Sequence, residues 1–164
     1  MTLTTEQRAA YHEAGHVVAY TIFGWTVKSA NIKQFTREDG CGTVAGQTFI
    51  DDSKDVECDE VTCVQQYMIA TLAGPLAGQF AAGEQPGSIT VDFREDAESL
   101  VQAAARLTNS KADAKALIAS CVPDAKHLVA NYWNAIDAVA KRLLADTEVA
   151  GDVLLAICRE QLKR

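Results

Sequence analysis

The 164-residue sequence has few of the features that mark specialised protein classes. It contains three prolines and ten glycines without any low-complexity stretch, and its hydrophobic content of 48% is close to average globular usage. This composition argues against collagen, coiled coil and intrinsic disorder. The length suits one domain, so we expect residues 1–164 to form a single domain with its own hydrophobic core.

Long apolar runs and export signals are also lacking. The uncharged apolar run at residues 17–25 falls far short of the roughly 20 residues that span a bilayer. The first residues lack a basic segment followed by an apolar one, so no secretory signal is expected. The five cysteines form no C-x-x-C pair, which argues against a disulfide framework or a zinc ribbon. We therefore expect a soluble, cytoplasmic protein with reduced thiols.

Positive charge is scarce, because the net charge is −7 and residues 37–60 alone hold eight acidic and two basic side chains. A charge run of this kind is typical of a solvated loop face. An acidic protein is repelled by nucleic acid and by anionic membranes, so we expect neither as a partner.

The first half of the chain combines a capped helix with a short sheet. Thr4 and Gln7 have the spacing of a capping box, and Gly24 is typical of a helix end. Two β-favouring runs follow, over residues 25–35 and 42–50, and the Asp39-Gly40 pair between them predicts a hairpin or a looped antiparallel pair.

The remainder of the sequence predicts helices. A long apolar helix is expected over about residues 58–82, with a kink or interruption at Gly74-Pro75. A further helix is expected over about 94–107, and two or three more from Lys111 onward, with breaks near Pro123 and Gly151. The fold class is therefore α+β and mostly helical.

Chemistry is concentrated in the pentapeptide His12-Glu13-Ala14-Gly15-His16. Two histidines four residues apart lie one above the other on a helix, so that both imidazoles can bind one metal ion. The Glu13 side chain is rotated about 100° from that of His12, which suits a general base rather than a ligand. This arrangement is typical of a hydrolytic zinc site.

A third ligand is not specified by spacing. Ala19 and Ile22 occupy the glycine and histidine positions of the metzincin extension, and His127 is expected to be solvated. Carboxylates therefore remain as candidates for the third ligand. They are Glu57, Glu60, Asp92, Glu95 and Asp96.

Several segments resemble the FtsH-type metallopeptidase domain. Residues 10–18 (AYHEAGHVV) are similar to its metal-binding signature, residues 42–46 (GTVAG) to its second strand, and residues 72–84 (LAGPLAGQFAAGE) to its L-A-G-R-A-A-E-E helix. Glu95-Asp96 lies where the family has Asn-Asp-Leu before its next helix, and residues 136–157 resemble the closing helical pair. Pro75 and Gly78 depart from the family's arginine and glutamate, and residues 88–96 depart from its T-G-A-S-N-D run, which keeps Asp92 as a rival ligand.

The resemblance implies a zincin-like peptidase domain with its small sheet beside the first helix. It implies Zn²⁺ held by His12, His16 and Asp96, with Glu13 as the catalytic base and unfolded or flexible polypeptides as substrates. No G-x-x-x-x-G-K-[ST] loop occurs in the sequence. We therefore expect a peptidase that takes already unfolded segments, or one that works with a separate ATPase or as a homo-oligomer.

Residues 42–49 are expected to form an edge strand that accepts an extended substrate by main-chain pairing. Two alternatives remain at this point. One is a zinc-binding regulatory module of the same family without proteolytic activity, and the other is a structural helical protein without a metal.

Overall fold

The computed structural model describes residues 3–33, 35–36, 43–44, 46–51, 59–84 and 94–163. This part of the chain is α+β and mostly helical, as predicted. Its elements follow in chain order: α1 Thr5–Ile22, β1 Val27–Asn31, β2 Phe35–Thr36, β3 Thr43–Val44, β4 Gln47–Ile50, α2 Glu60–Ala82, α3 Arg94–Ala105, α4 Lys111–Asn131, α5 Trp133–Asp146, β5 Glu148–Ala150 and α6 Gly151–Leu162. None of the helices described is both long and apolar enough to cross a bilayer.

The first helix begins as the sequence predicts. The Gln7 backbone N–H donates to the Thr4 hydroxyl oxygen at 3.1 Å, and the Thr4 N–H donates to the Gln7 side chain at 3.0 Å. Except for the half-buried Tyr11, every residue from Ala9 to Tyr20 is buried. Helix α1 is therefore the centre of the fold, with α2, α5 and the sheet around it.

The predicted antiparallel pair is present. Strand β1 pairs with β4, with Ala30 opposite Thr48, and on its other side with β5, with Ala30 opposite Val149. The described three-stranded sheet has the order β4-β1-β5, and β2 pairs separately with β3. Strand β5 was not predicted, because three residues are too few to show a two-residue alternation. The Asp39-Gly40 turn lies outside the described residues.

Neither helix is interrupted at its proline. The break expected near Pro123 is therefore wrong, and so is the interruption that was one of the two outcomes expected at Gly74-Pro75. Helix α2 continues through Pro75, and α4 continues through Pro123. A proline inside a helix removes one backbone hydrogen bond, but packing can offset that cost. Pro75 is fully buried, and α2 packs against α1, α3 and α4.

The described cysteines agree only in part with the expectation of reduced thiols. Cys121 and Cys158 are free and buried, whereas Cys63 near the start of α2 is disulfide-bonded. Disulfides persist mainly in oxidising compartments. The bond at Cys63 therefore gives no support to a cytoplasmic location.

Candidate metal centre

The two histidines of the pentapeptide lie on the side of α1 that faces α2. Both are buried, with 6% of each residue exposed, and their Nε2 atoms lie 2.9 Å apart. The i, i+4 spacing thus places the two imidazoles together, as the sequence predicts.

Small residues on α2 make room for these rings. A Cβ added at Gly74 would lie 2.3 Å from His16 Nε2, so any larger residue would occupy the space of the imidazole. Gly15 has the complementary role on α1, since a Cβ there would lie 2.4 Å from the Ala73 carbonyl oxygen and 2.8 Å from Ala77 Cβ. The backbones of the two helices therefore approach closely at the level of the histidines.

The backbone of α2 also orients His16. Its Nδ1 lies 2.9 Å from the Ala70 carbonyl oxygen. A carbonyl oxygen only accepts hydrogen bonds, so Nδ1 carries the proton and donates it. In the neutral ring this leaves the Nε2 lone pair available for a metal, which is how ligating histidines are usually held.

The third member of the cluster comes from the first turn of α3. Asp96 Oδ2 lies 3.0 Å from His12 Nε2, and Asp96 Oδ1 lies 3.5 Å from His16 Nε2. Ligand atoms of these three residues all lie within 4.8 Å of one another. The Asp96 side chain keeps 21% of its surface exposed, so the cluster is open on the α3 side.

The electrostatics of the cluster favour a bound positive charge. Burial disfavours the imidazolium of His16, but the charge of Asp96, its hydrogen bond and the nearby Glu13 outweigh burial and raise the pKa of His16 to about 9. Burial acts to raise the pKa of Asp96, but the charges and hydrogen bonds of His16 and His12 hold that pKa well below its usual range. In the metal-free protein the cluster thus holds a proton at neutral pH, which a metal ion would replace.

The donor set and its spacing fit a zinc ion. Two imidazole nitrogens and a carboxylate are common zinc ligands, and bonds of about 2.1 Å in a tetrahedron put ligand atoms about 3.4 Å apart. The three distances given above, 2.9, 3.0 and 3.5 Å, come close to this value. Shifts of a few tenths of an ångström would therefore suffice to admit the ion.

Glu13 points away from α2, toward the sheet. It is buried, with 4% of its surface exposed, and its Oε2 accepts a hydrogen bond from the Thr48 hydroxyl at 2.6 Å. A Cβ added at Gly46 would lie 2.7 Å from Glu13 Cγ and 2.8 Å from Glu13 Oε1. Thr48 in β4 and Gly46 just before the strand therefore lie in close contact with this carboxylate.

The other candidate ligands do not join the cluster within the described residues. Glu60 is exposed and forms an ion pair with Arg106 at 3.1 Å, and Glu95 is exposed on α3. His127 is exposed on α4, in agreement with the solvated position predicted for it. Glu57 and Asp92 lie outside the described residues.

Sequence reasoning missed the residues that support the site. Ala70, Gly74, Gly46 and Thr48 are of common types and lie far along the chain from the pentapeptide. One signal was available for α2, where Ala70, Gly74 and Gly78 recur at four-residue spacing and so form a stripe of small residues on one side of the helix. No comparable pattern marks Gly46 and Thr48.

In comparisons with known proteins, no family model and no curated protein matched the sequence.

Proposed function

We propose that this chain is a zinc-dependent metallopeptidase with a zincin-like fold, which hydrolyses peptide bonds in unfolded or flexible polypeptides. The proposal rests chiefly on one observation, the clustering of the ligand atoms of His12, His16 and Asp96. Glu13 is buried on the same helix, next to His12 in the sequence. The resemblance of residues 10–18 and 72–84 to the FtsH-type peptidase domain supports the same function.

His12, His16 and Asp96 are the residues that would hold the metal. When bound, zinc would supply a Lewis acid for the substrate carbonyl and would make a solvent molecule more acidic. The Ala70 carbonyl and the space at Gly74 keep His16 in the orientation that this role needs.

Glu13 is the proposed general base. Its carboxylate would take a proton from the attacking solvent molecule and deliver it to the leaving amine. Its burial and its hydrogen bond from Thr48 keep the carboxylate in place while it exchanges the proton. General acid–base catalysis of this kind contributes about 10²- to 10⁴-fold in rate.

The described sheet offers a place for an extended substrate. Among the described strands, β4 has a neighbour, β1, on one side only. Thr48 of β4 and Gly46, which precedes the strand, lie against Glu13. An edge strand can bind an extended peptide through main-chain hydrogen bonds. A substrate paired with β4 would pass beside the base, and only unfolded or flexible segments can adopt that conformation. A separate ATPase or assembly of several copies would supply such segments from folded proteins.

The central experiment separates metal binding from catalysis. We expect the protein to purify with one zinc per chain and to cleave unfolded casein, with activity removed by a chelator and restored by zinc. Glu13→Gln should keep its zinc and lose at least about a hundredfold in kcat, because it removes the base but no ligand. His16→Ala should lose the zinc itself.

Glu6→Gln is the matched control, since Glu6 is an exposed glutamate in the first turn of the same helix. It should retain both zinc and full activity. Cleavage by Glu13→Gln at the wild-type rate would refute the peptidase mechanism. Zinc binding without any cleavage by the wild-type protein would favour the regulatory module, and absence of zinc from metal-replete protein would favour the structural one.

A further inference from the structure

The two carboxylate oxygens of Glu13 have different surroundings. Oε2 accepts the Thr48 hydroxyl at 2.6 Å, whereas Oε1 lies beside Gly46, where an added Cβ would be 2.8 Å away. The Thr48 hydroxyl also lies 3.5 Å from the Glu13 backbone carbonyl oxygen. The Thr48 hydroxyl is thus close to both the side-chain carboxylate and the backbone carbonyl of Glu13.

The sheet determines the direction of the Thr48 side chain. Along β4 the exposed residues Gln47 and Phe49 alternate with the half-buried Thr48 and Ile50. In a strand, alternate side chains point to opposite faces, so Thr48 and Ile50 share the inner face. Thr48 is paired with the fully buried Ala30 of β1, which fixes its height relative to α1. The hydroxyl is therefore held by the sheet independently of Glu13.

A glutamate needs such a partner to keep one orientation. Its side chain has three rotatable bonds, and holding it in one conformation costs side-chain entropy. A short hydrogen bond from a hydroxyl to a carboxylate is about twice as strong as one between neutral groups. The distance of 2.6 Å from Thr48 Oγ1 to Glu13 Oε2 falls in the range for such charge-assisted bonds.

We propose that Thr48 is a positioning residue for the general base. Its hydroxyl holds Oε2 of Glu13 in one orientation and leaves Oε1 as the oxygen that exchanges the proton. This inference rests on the proposed peptidase function and assigns to β4 a role in catalysis beyond binding of substrate. Thr48 does not touch the reacting atoms and acts only through Glu13.

Thr48→Val tests the proposal, because valine has nearly the shape of threonine and lacks the hydroxyl. We expect kcat on unfolded casein to fall about 10- to 100-fold, the usual effect of removing a supporting residue of a metal site. KM and zinc content should remain at the wild-type level, since neither a ligand nor a substrate contact is removed. Thr48→Ser keeps the hydroxyl and should restore most of kcat.

Thr108→Val is the matched control. Thr108 is half-buried and donates its hydroxyl to the Ala104 carbonyl oxygen at 2.9 Å, at the end of α3. This variant loses a similar hydrogen bond without contacting Glu13, so its kcat should not change. An equal loss of kcat in Thr48→Val and Thr108→Val, or a serine variant no better than valine, would show that the hydroxyl of Thr48 has no specific role.

A structural readout keeps the inference separate from the peptidase function. Crystal structures of zinc-loaded wild type and Thr48→Val should show the Glu13 carboxylate in one rotamer in the former and rotated or in several conformers in the latter. An unchanged Glu13 rotamer in the valine variant would overturn the proposal. If the wild type cleaves no peptide, the proposed function fails, and this comparison still decides whether Thr48 orients Glu13. If the valine variant does not fold, Thr48→Ala is subject to the same criteria.

Discussion

The two sides of α1 are organised by different physical means. On the side that faces α2, Gly15 and Gly74 bring backbone and ring atoms into contact, so that excluded volume, together with the Ala70 carbonyl, determines where His16 lies. On the side that faces β4, the position of Glu13 depends on a hydrogen bond to Thr48. The difference indicates that the geometry of the proposed metal site and the orientation of the proposed base can be perturbed separately.

This separation has a structural origin. Two packed helices form a rigid frame, because their relative position cannot change without moving many buried side chains. The Glu13 side chain instead extends toward a strand and retains rotatable bonds. Adding a methyl group on the α2 side should therefore affect folding or metal binding, while a change on the β4 side should affect only the rate of the reaction.

Gly15→Ala should give the largest effect. The new Cβ would lie 2.4 Å from the Ala73 carbonyl oxygen, a backbone atom that cannot rotate away. Helix propensity favours alanine over glycine by about 1 kcal/mol, so a destabilised variant would show that the helix contact dominates. We expect the free energy of unfolding to fall by about 3 kcal/mol and Tm by about 6–12 °C.

Gly78→Ala is the control for this prediction, because Gly78 lies on the same α1–α2 interface. A Cβ there meets no atom nearer than 3.6 Å, which is ordinary contact. Thermal unfolding of the two variants should show a lower Tm for Gly15→Ala and an unchanged or higher Tm for Gly78→Ala. Similar Tm values for the two would contradict the close packing described here.

Gly74→Ala should fold but bind zinc poorly. The added Cβ would lie 2.3 Å from His16 Nε2, and the imidazole can move aside by rotating, which limits the loss of stability. Rotation takes Nε2 away from His12 and Asp96. We expect zinc affinity, measured by competition with a chromogenic chelator, to fall by more than about a hundredfold. Mutating a residue that only supports a ligand already costs about 10- to 100-fold in metal affinity, and here a ligand itself is displaced.

Asp96→Asn tests the identity of the third ligand. The amide has no negative charge, so both the attraction to the metal and a ligand bond are weakened, and zinc affinity should fall by about a hundredfold or more. Glu95→Gln and Glu60→Gln change exposed carboxylates and should leave affinity unchanged. Asp92→Asn belongs in the same series, and a loss of zinc there with retention in Asp96→Asn would reassign the ligand.

Much of the fold could be predicted because its signals are local. The Thr4–Gln7 capping box and the β-favouring runs before and after Asp39-Gly40 depend on neighbouring residues only. The errors came where tertiary packing overrides local preference. Pro75 is a helix breaker in isolation, but inside a helix packed on several sides it is tolerated.

In the candidate site, too, the residues that lie close together in the sequence were predictable and the distant ones were not. His12, Glu13 and His16 follow from spacing on one helix, whereas Asp96 lies 80 residues further on, and spacing alone could not choose it over the other carboxylates. The resemblance to a peptidase family supplied that choice. Thr48 carries no signal, since a threonine in a strand is common and only the pairing of β4 with β1 brings its hydroxyl to Glu13.

Gly46→Ala should give the smallest effect and the sharpest contrast with Gly74→Ala. The added Cβ would lie 2.7 Å from Glu13 Cγ, a flexible side-chain atom, and 2.9 Å from the Asn31 carbonyl oxygen. We expect the Glu13 carboxylate to shift, kcat on unfolded casein to fall about tenfold, and zinc content to stay at one per chain. Gly74→Ala should show the reverse pattern. Its metal binding should be weak, and its activity should recover as the zinc concentration is raised to saturation. If Gly46→Ala instead lost its zinc, the two sides of α1 would not be independent, because a displaced Glu13 would then be disturbing His12 or His16 directly.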